Sequence, residues 1–168
     1  ADNHEKNSLV IAELISQGRD SIRINDVGAI HRALSLYLTD ASSTDLDGTL
    51  QGTVCGITSG AASASVLCTA TGGISPMTAA CTTNSTSTVD GAGWVPVDIR
   101  SVTGGAPLSK FPIDPVNDAT RFYAYGCNGV DKTYEINANM QSTRYGSGGA
   151  SDVESNSKDG GNNDTHYE

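Results

Sequence analysis

The chain has 168 residues and a formal net charge of −9, with Lys and Arg together numbering 10 and Asp and Glu 19. Ten scattered basic residues do not supply the clustered positive surface that nucleic-acid backbones or anionic membranes require. Aromatic residues make up 5% of the chain and 19 positions are glycine, so the core is modest, much of the chain runs as loop, and one domain over 1–168 is expected.

The opening ADNHEKN reads as a polar leader over 1–7. No transmembrane segment and no signal peptide are expected: the longest apolar run, Leu9 to Ala12, falls far short of the roughly 20 residues a span needs. From residue 8 to 40 the chain carries one long helical pattern, with Ser8 as a candidate N-cap and Glu13 too late to complete a capping box. Apolar residues recur at Ile11, Leu14, Ile15 and Ile22, then at Val27, Ile30, Leu34, Tyr37 and Leu38. Steps of three and four predict one buried stripe. Arg19, Asp20, Arg23 and Asp26 fall between these positions and are expected to pair on the wet side. Gly18 and Gly28 each weaken the helix by up to about 1 kcal/mol relative to Ala, which allows a bend at either.

Residues 41–93 are rich in Gly, Ser, Thr and Ala. This stretch is too poor in apolar residues to pack alone, although GTLQGTVCGI and SASVLCTAT read as short strands. From Gly93 to Ala119 the chain is punctuated by Pro and Gly, and Trp94, Phe111 and Ile113 should order it. Two clearer strands follow, RFYAYGC over 121–127 and KTYEINANM over 132–140, with Asn128-Gly129 opening the turn between them. From Gly146 the tail is polar, acidic and aperiodic, and composition alone reads it as a solvated terminus.

Several constellations bear on chemistry. Cys55, Cys68, Cys81 and Cys127 form no Cys-x-x-Cys pair, and an even count in such a body points to an oxidising compartment and two disulfides. Three connectivities are open; Cys55–Cys68 with Cys81–Cys127 is weakly preferred because the first closes a short loop, worth on the order of 3 kcal/mol. Asp45-Leu46-Asp47-Gly48-Thr49-Leu50 resembles the nucleophile motif of haloacid-dehalogenase-type phosphatases, with Asp45 as attacking group and Asp47 as acid/base. That motif follows a buried apolar strand in an alternating α/β body; here a helix end and a polar turn precede it, so a solvated turn is expected and an enzyme is not. His4, His31 and His166 are far apart, and His31 is expected at a helix surface or edge. Asp152, Glu154, Asp159 and Asp164 offer hard oxygen ligands of the kind calcium takes. Asn84-Ser85-Thr86 and Asn163-Asp164-Thr165 match the glycosylation pattern.

Residues 18–40, with Arg19, Asp20 and Arg23 followed by Asp26, Ile30, Ala33, Leu34 and Tyr37, resemble the second half of the long N-terminal helix of type IV pilins and type II secretion pseudopilins. The stretch from Trp94 to Met140 is similar to the body of those proteins, and the acidic close is similar to their C-terminal loop, which binds calcium in some members. The resemblance implies an α+β, pilin-like fold with one long N-terminal helix on a small antiparallel sheet, divided into a helix over 8–40, a variable loop region over 41–105, a sheet over 106–145 and an acidic loop over 146–168. It implies a structural filament subunit on the extracellular or periplasmic face, polymerising through its helix. The expected partners are copies of itself, related pilins and an inner-membrane assembly machinery. Contact with the membrane would come only through an apolar helix half preceding this sequence. No cofactor is required, and Ca2+ is the one ion in view. The alternative expectation is an adhesin-like minor pilin or secreted binding module that uses the insert over 50–93.

Overall fold

A computed structural model describes residues 3–48, 55–58, 82–161 and 166–168, except for the side chains of 55–58 and 82. Helix α1 spans Asn3–Asp40, about 57 Å at 1.5 Å per residue. It begins inside the expected leader and runs unbroken through Gly18 and Gly28. Its last turn closes as Ala41 N–H donates to Tyr37 O at 3.0 Å.

Strand β1 (Cys55–Thr58) and the two-residue β2 (Thr82–Thr83) precede β3 (Tyr123–Asn128) and β4 (Thr133–Ala138). The sheet order is β2-β1-β3-β4, and a four-residue helix α2 (Asn156–Asp159) lies in the tail. One long helix with a small sheet makes the class α+β. The pairs β1/β3 and β3/β4 are antiparallel, whereas β1/β2 is parallel, so the sheet is not wholly antiparallel. The β3–β4 hairpin forms where the alternating pattern and the Asn128-Gly129 turn place it. Asn128 Oδ1 accepts the Val130 and Asp131 N–H groups, and Lys132 closes the turn with φ 56°. Strand SASVLCTAT lies outside the described residues. Strand β3 is buried from Tyr123 to Cys127 without alternation, because both of its faces are covered.

The core forms where the second half of α1 meets β3, β4 and the loop over 84–114. Val27, Ile30, Leu34 and Tyr37 pack with Trp94, Phe111, Tyr123, Tyr125 and Ile136. Burying each of the four helix side chains contributes roughly 1.5–3 kcal/mol. As expected, Trp94 orders the loop: its ring lies edge-on to Phe111 and tilted on Tyr123, and its Nε1–H donates to Pro112 O at 3.0 Å.

Candidate functional site

Helix α1 presents two unlike environments. In its second half, buried residues point into the head. In its first half Leu9, Val10, Ile11, Leu14 and Ile15 are 51–70% exposed, and Ile22 is 48% exposed. The expected single stripe is therefore two. At 100° per residue, Val10, Ile11, Leu14, Ile15 and Ile22 centre about 135° around the helix from Val27, Ile30, Leu34 and Tyr37. The three-and-four spacing was legible; the phase slip between the two sets, a rotation of more than a third of a turn, is what sends one set inward and leaves the other bare.

The head reaches the first half of the helix through polar groups instead. Asp20 and Arg23 are fully buried, contrary to the expectation of a wet side. Arg23 Nε and Nη2 donate to the two oxygens of Asp114 at 2.6 and 2.9 Å, and Nη1 donates to Asp20 Oδ1 at 2.7 Å. Asp20 also accepts the N–H groups of Gln141 and Ser142 at 2.9 and 2.8 Å, and Asp114 accepts those of Val116 and Asn117. The guanidinium thus lies between two carboxylates that each hold a loop. The spacing of Asp20 and Arg23 on one helix face was visible in the sequence. Their partner, 91 residues further on, was not. Glu13 makes the last such contact toward the helix start, accepting from the Thr143 hydroxyl at 3.0 Å. Asp26 is half-buried and accepts from the Tyr123 hydroxyl at 2.8 Å; burial raises its carboxyl above the usual range.

The acidic tail is ordered over its described residues, a second departure from composition. Asp152 accepts the N–H groups of Gly148, Glu154 and Ser155 and the Ser155 hydroxyl; that hydroxyl, first among these donors, holds its carboxyl down at about 2. Glu154 is buried and takes the Met140 and Ser147 N–H groups. Asp159 accepts from Gly161 and Glu168 N–H. The tail then returns to the sheet, where Ala138 and Tyr167 exchange backbone hydrogen bonds at 2.9 and 2.8 Å. Among the described residues no three His, Cys, Asp or Glu side chains converge as metal ligands, and Asp164 lies outside them. Asp152, Glu154 and Asp159 each accept backbone N–H groups.

Asp45 and Asp47 sit in a turn after α1. Asp45 Oδ1 accepts the N–H groups of Asp47 and Gly48 at 3.2 and 2.8 Å, Leu46 is fully buried, and Gly48 has φ 53°. Asp47 packs against Gly129, where a Cβ would stand 2.7 Å from its Oδ2. Beside this turn opens a cavity of about 600 Å3 that Tyr37, Asp45, Asp90 and Asp98 help to line. Its Asp98 carboxylate is paired with Arg100 at 2.8 Å. Cys127 is disulfide-bonded; the side chains of Cys55, Cys68 and Cys81 lie outside the described residues. Most of the insert over 50–93 lies outside them too, as does the sequon at Asn163. Asn84 is engaged in its own loop, its Nδ2 donating to Ala92 O at 3.0 Å. His31 stands half-buried at the helix edge, its Nδ1 3.3 Å from the Tyr134 hydroxyl, and burial lowers its pKa.

No described helix is long and apolar enough to cross a membrane. No known protein family, curated protein or solved structure matches the chain.

Proposed function

We propose that this chain is the head-bearing part of a filament subunit of the type IV pilin and pseudopilin kind, working outside the cytoplasm by assembly rather than catalysis. The observation that carries the reading is the division of α1: its second half is sunk in the head and its first half is bare and apolar. Isolated helices of fewer than about 12–15 residues are marginal in water, so a bare helical end with apolar side chains gains most from neighbouring helices. The reading expects an apolar helical segment ahead of Ala1 that anchors the subunit before assembly, with sister copies and an assembly machinery as partners. Against the phosphatase alternative stands the use of Asp45 Oδ1 as acceptor for the Asp47 and Gly48 N–H groups of its own turn.

The test uses the cells that make the protein. Shearing, ultracentrifugation and immunogold microscopy with antibody against this chain should place the antigen in labelled filaments. Antigen confined to soluble, monomer-sized protein would overturn the proposal. Calcium has its own test: a chelator that lowers the melting temperature would restore the ion to the tail, and an unchanged melt removes it.

A further inference from the structure

Cys127 is fully buried and disulfide-bonded, and the sheet register singles out a partner for it. In the antiparallel pair of β1 and β3, Cys55 stands directly opposite Cys127. Residues directly opposite in such a pair lie on the same face of the sheet, with Cα atoms about 4.5 or 5.5 Å apart. Both separations fall within the roughly 4.4–6.8 Å that a disulfide spans. Chain connectivity keeps Cys81 out of reach. Its neighbour Thr82 pairs with Ile57 of β1, and Ile57 pairs on its other side with Tyr125 of β3. Two strand spacings of about 4.8 Å separate β2 from β3, and Cys127 lies two residues beyond Tyr125, about 6.8 Å further along. Thr82 and Cys127 are therefore about 12 Å apart. One peptide link of about 3.8 Å brings Cys81 no nearer than about 8 Å, beyond the limit of roughly 7 Å for bridging.

We infer that the disulfides are Cys55–Cys127 and Cys68–Cys81, and that the first anchors the root of the insert over 59–81 to the head. The register replaces the loop-length preference for Cys55–Cys68. With Cys55 and Cys127 joined, Cys68 and Cys81 are left to each other. Strand β1 has four residues and leads into the insert at Thr58. A pull on the insert peels β1 from β3 starting at the Thr58–Ala124 pair, and Cys55–Cys127 is the last pair of that ladder. A covalent bond at that end stops the peeling before it passes back toward α1. Each bond forms as two thiols give up two protons and two electrons to an oxidised dithiol carrier, whose own disulfide is reduced. The pairing holds whether or not the chain builds filaments.

The experiment maps the bonds in the intact, unreduced chain. Free thiols are blocked with N-ethylmaleimide, and thermolysin, which cuts ahead of bulky apolar residues such as Ile57, Leu67 and Met77, puts the four cysteines on separate peptides. Mass spectrometry should find the Cys127 peptide linked to the Cys55 peptide and the Cys68 peptide linked to the Cys81 peptide. A Cys127 peptide linked to Cys68 or Cys81, or carrying the thiol block, would overturn the pairing. The anchoring role has a separate readout. In the Cys55→Ser chain, hydrogen exchange over 55–58 should speed by about tenfold or more while residues 24–37 of α1 keep their rate. Cys127→Ser gives the same reading if that variant misfolds. Any other pattern, equal acceleration in both segments included, would overturn the anchoring role.

Discussion

The second half of α1 is the richer in apolar residues, and the two halves have opposite fates. Around Val27, Ile30, Leu34 and Tyr37 the head closes on hydrocarbon. Between Glu13 and Arg23 it closes on charge and hydrogen bonds, and the apolar residues there look outward. A helix carrying two apolar faces more than a third of a turn apart cannot bury both in one small domain. The chain's own sheet takes one face, and the other is left for something else.

The largest test of that contrast is Arg23→Ala. It strands Asp20 and Asp114 as buried, uncompensated carboxylates, a change that costs about 3–5 kcal/mol, and urea unfolding should show the midpoint fall accordingly. A loss below about 1 kcal/mol would mean that water reaches the ion cluster and that the first half of the helix is less firmly seated than the second. Next comes Leu34→Ala, a cavity in the packed half, expected to cost about 2–5 kcal/mol.

Titration separates the head from the bare helix, because the half-buried Glu135 carboxyl and the buried His166 imidazole at the tail closure both belong to the head. Burial, then the neighbouring Glu168, drives Glu135 up to about 8, so the folded protein holds that proton more tightly than the unfolded chain. Its contribution is complete below about pH 4.5 and is lost as pH rises through 8. Burial pulls His166 down to about 4, so its contribution is complete above about pH 6.5 and is lost as pH falls through 4. The two slopes oppose each other where the ranges overlap, between about pH 4.5 and 6.5. Unfolding free energies measured from pH 4 to 9 should lose the alkaline decline in Glu135→Gln and the acid decline in His166→Gln. Slopes unchanged in both variants would detach the tail closure from the pH response. The smallest effect belongs to the bare face: Leu14→Ala should shift stability by no more than about 0.5 kcal/mol. A loss comparable with that of Leu34→Ala would show Leu14 to be covered and would erase the contrast between the halves.

Much of this was readable from local pattern. The long run of three-and-four spacing demanded a helix, alternating aromatics and Asn128-Gly129 demanded a hairpin, and lone large residues in a Gly/Ser/Thr-rich chain had to nucleate what core there is. The tail was misread because its carboxylates look solvated by composition, while Asp152 and Glu154 hold backbone N–H groups in place. The burial of β3 from Tyr123 to Cys127 was not readable, because a neighbouring layer leaves no mark on a strand's own sequence. The candidate ligands and nucleophiles were identified by residue type, and in the fold Asp45, Asp152, Glu154 and Asp159 serve as local acceptors.

What residue order alone determined was the set of local choices: where a helix is favoured, where the chain must turn, and which side chains water rejects. Those depend on neighbours within a few positions, and the sequence states them outright. Which face of α1 went inward was settled only by the tertiary structure. It depended on a carboxylate at Asp114 arriving beside Arg23 and on amides at Gln141 and Ser142 arriving beside Asp20. Those groups are joined to the helix by long, loosely patterned loops, and a buried charge is tolerable only where a partner from elsewhere in the chain comes to meet it.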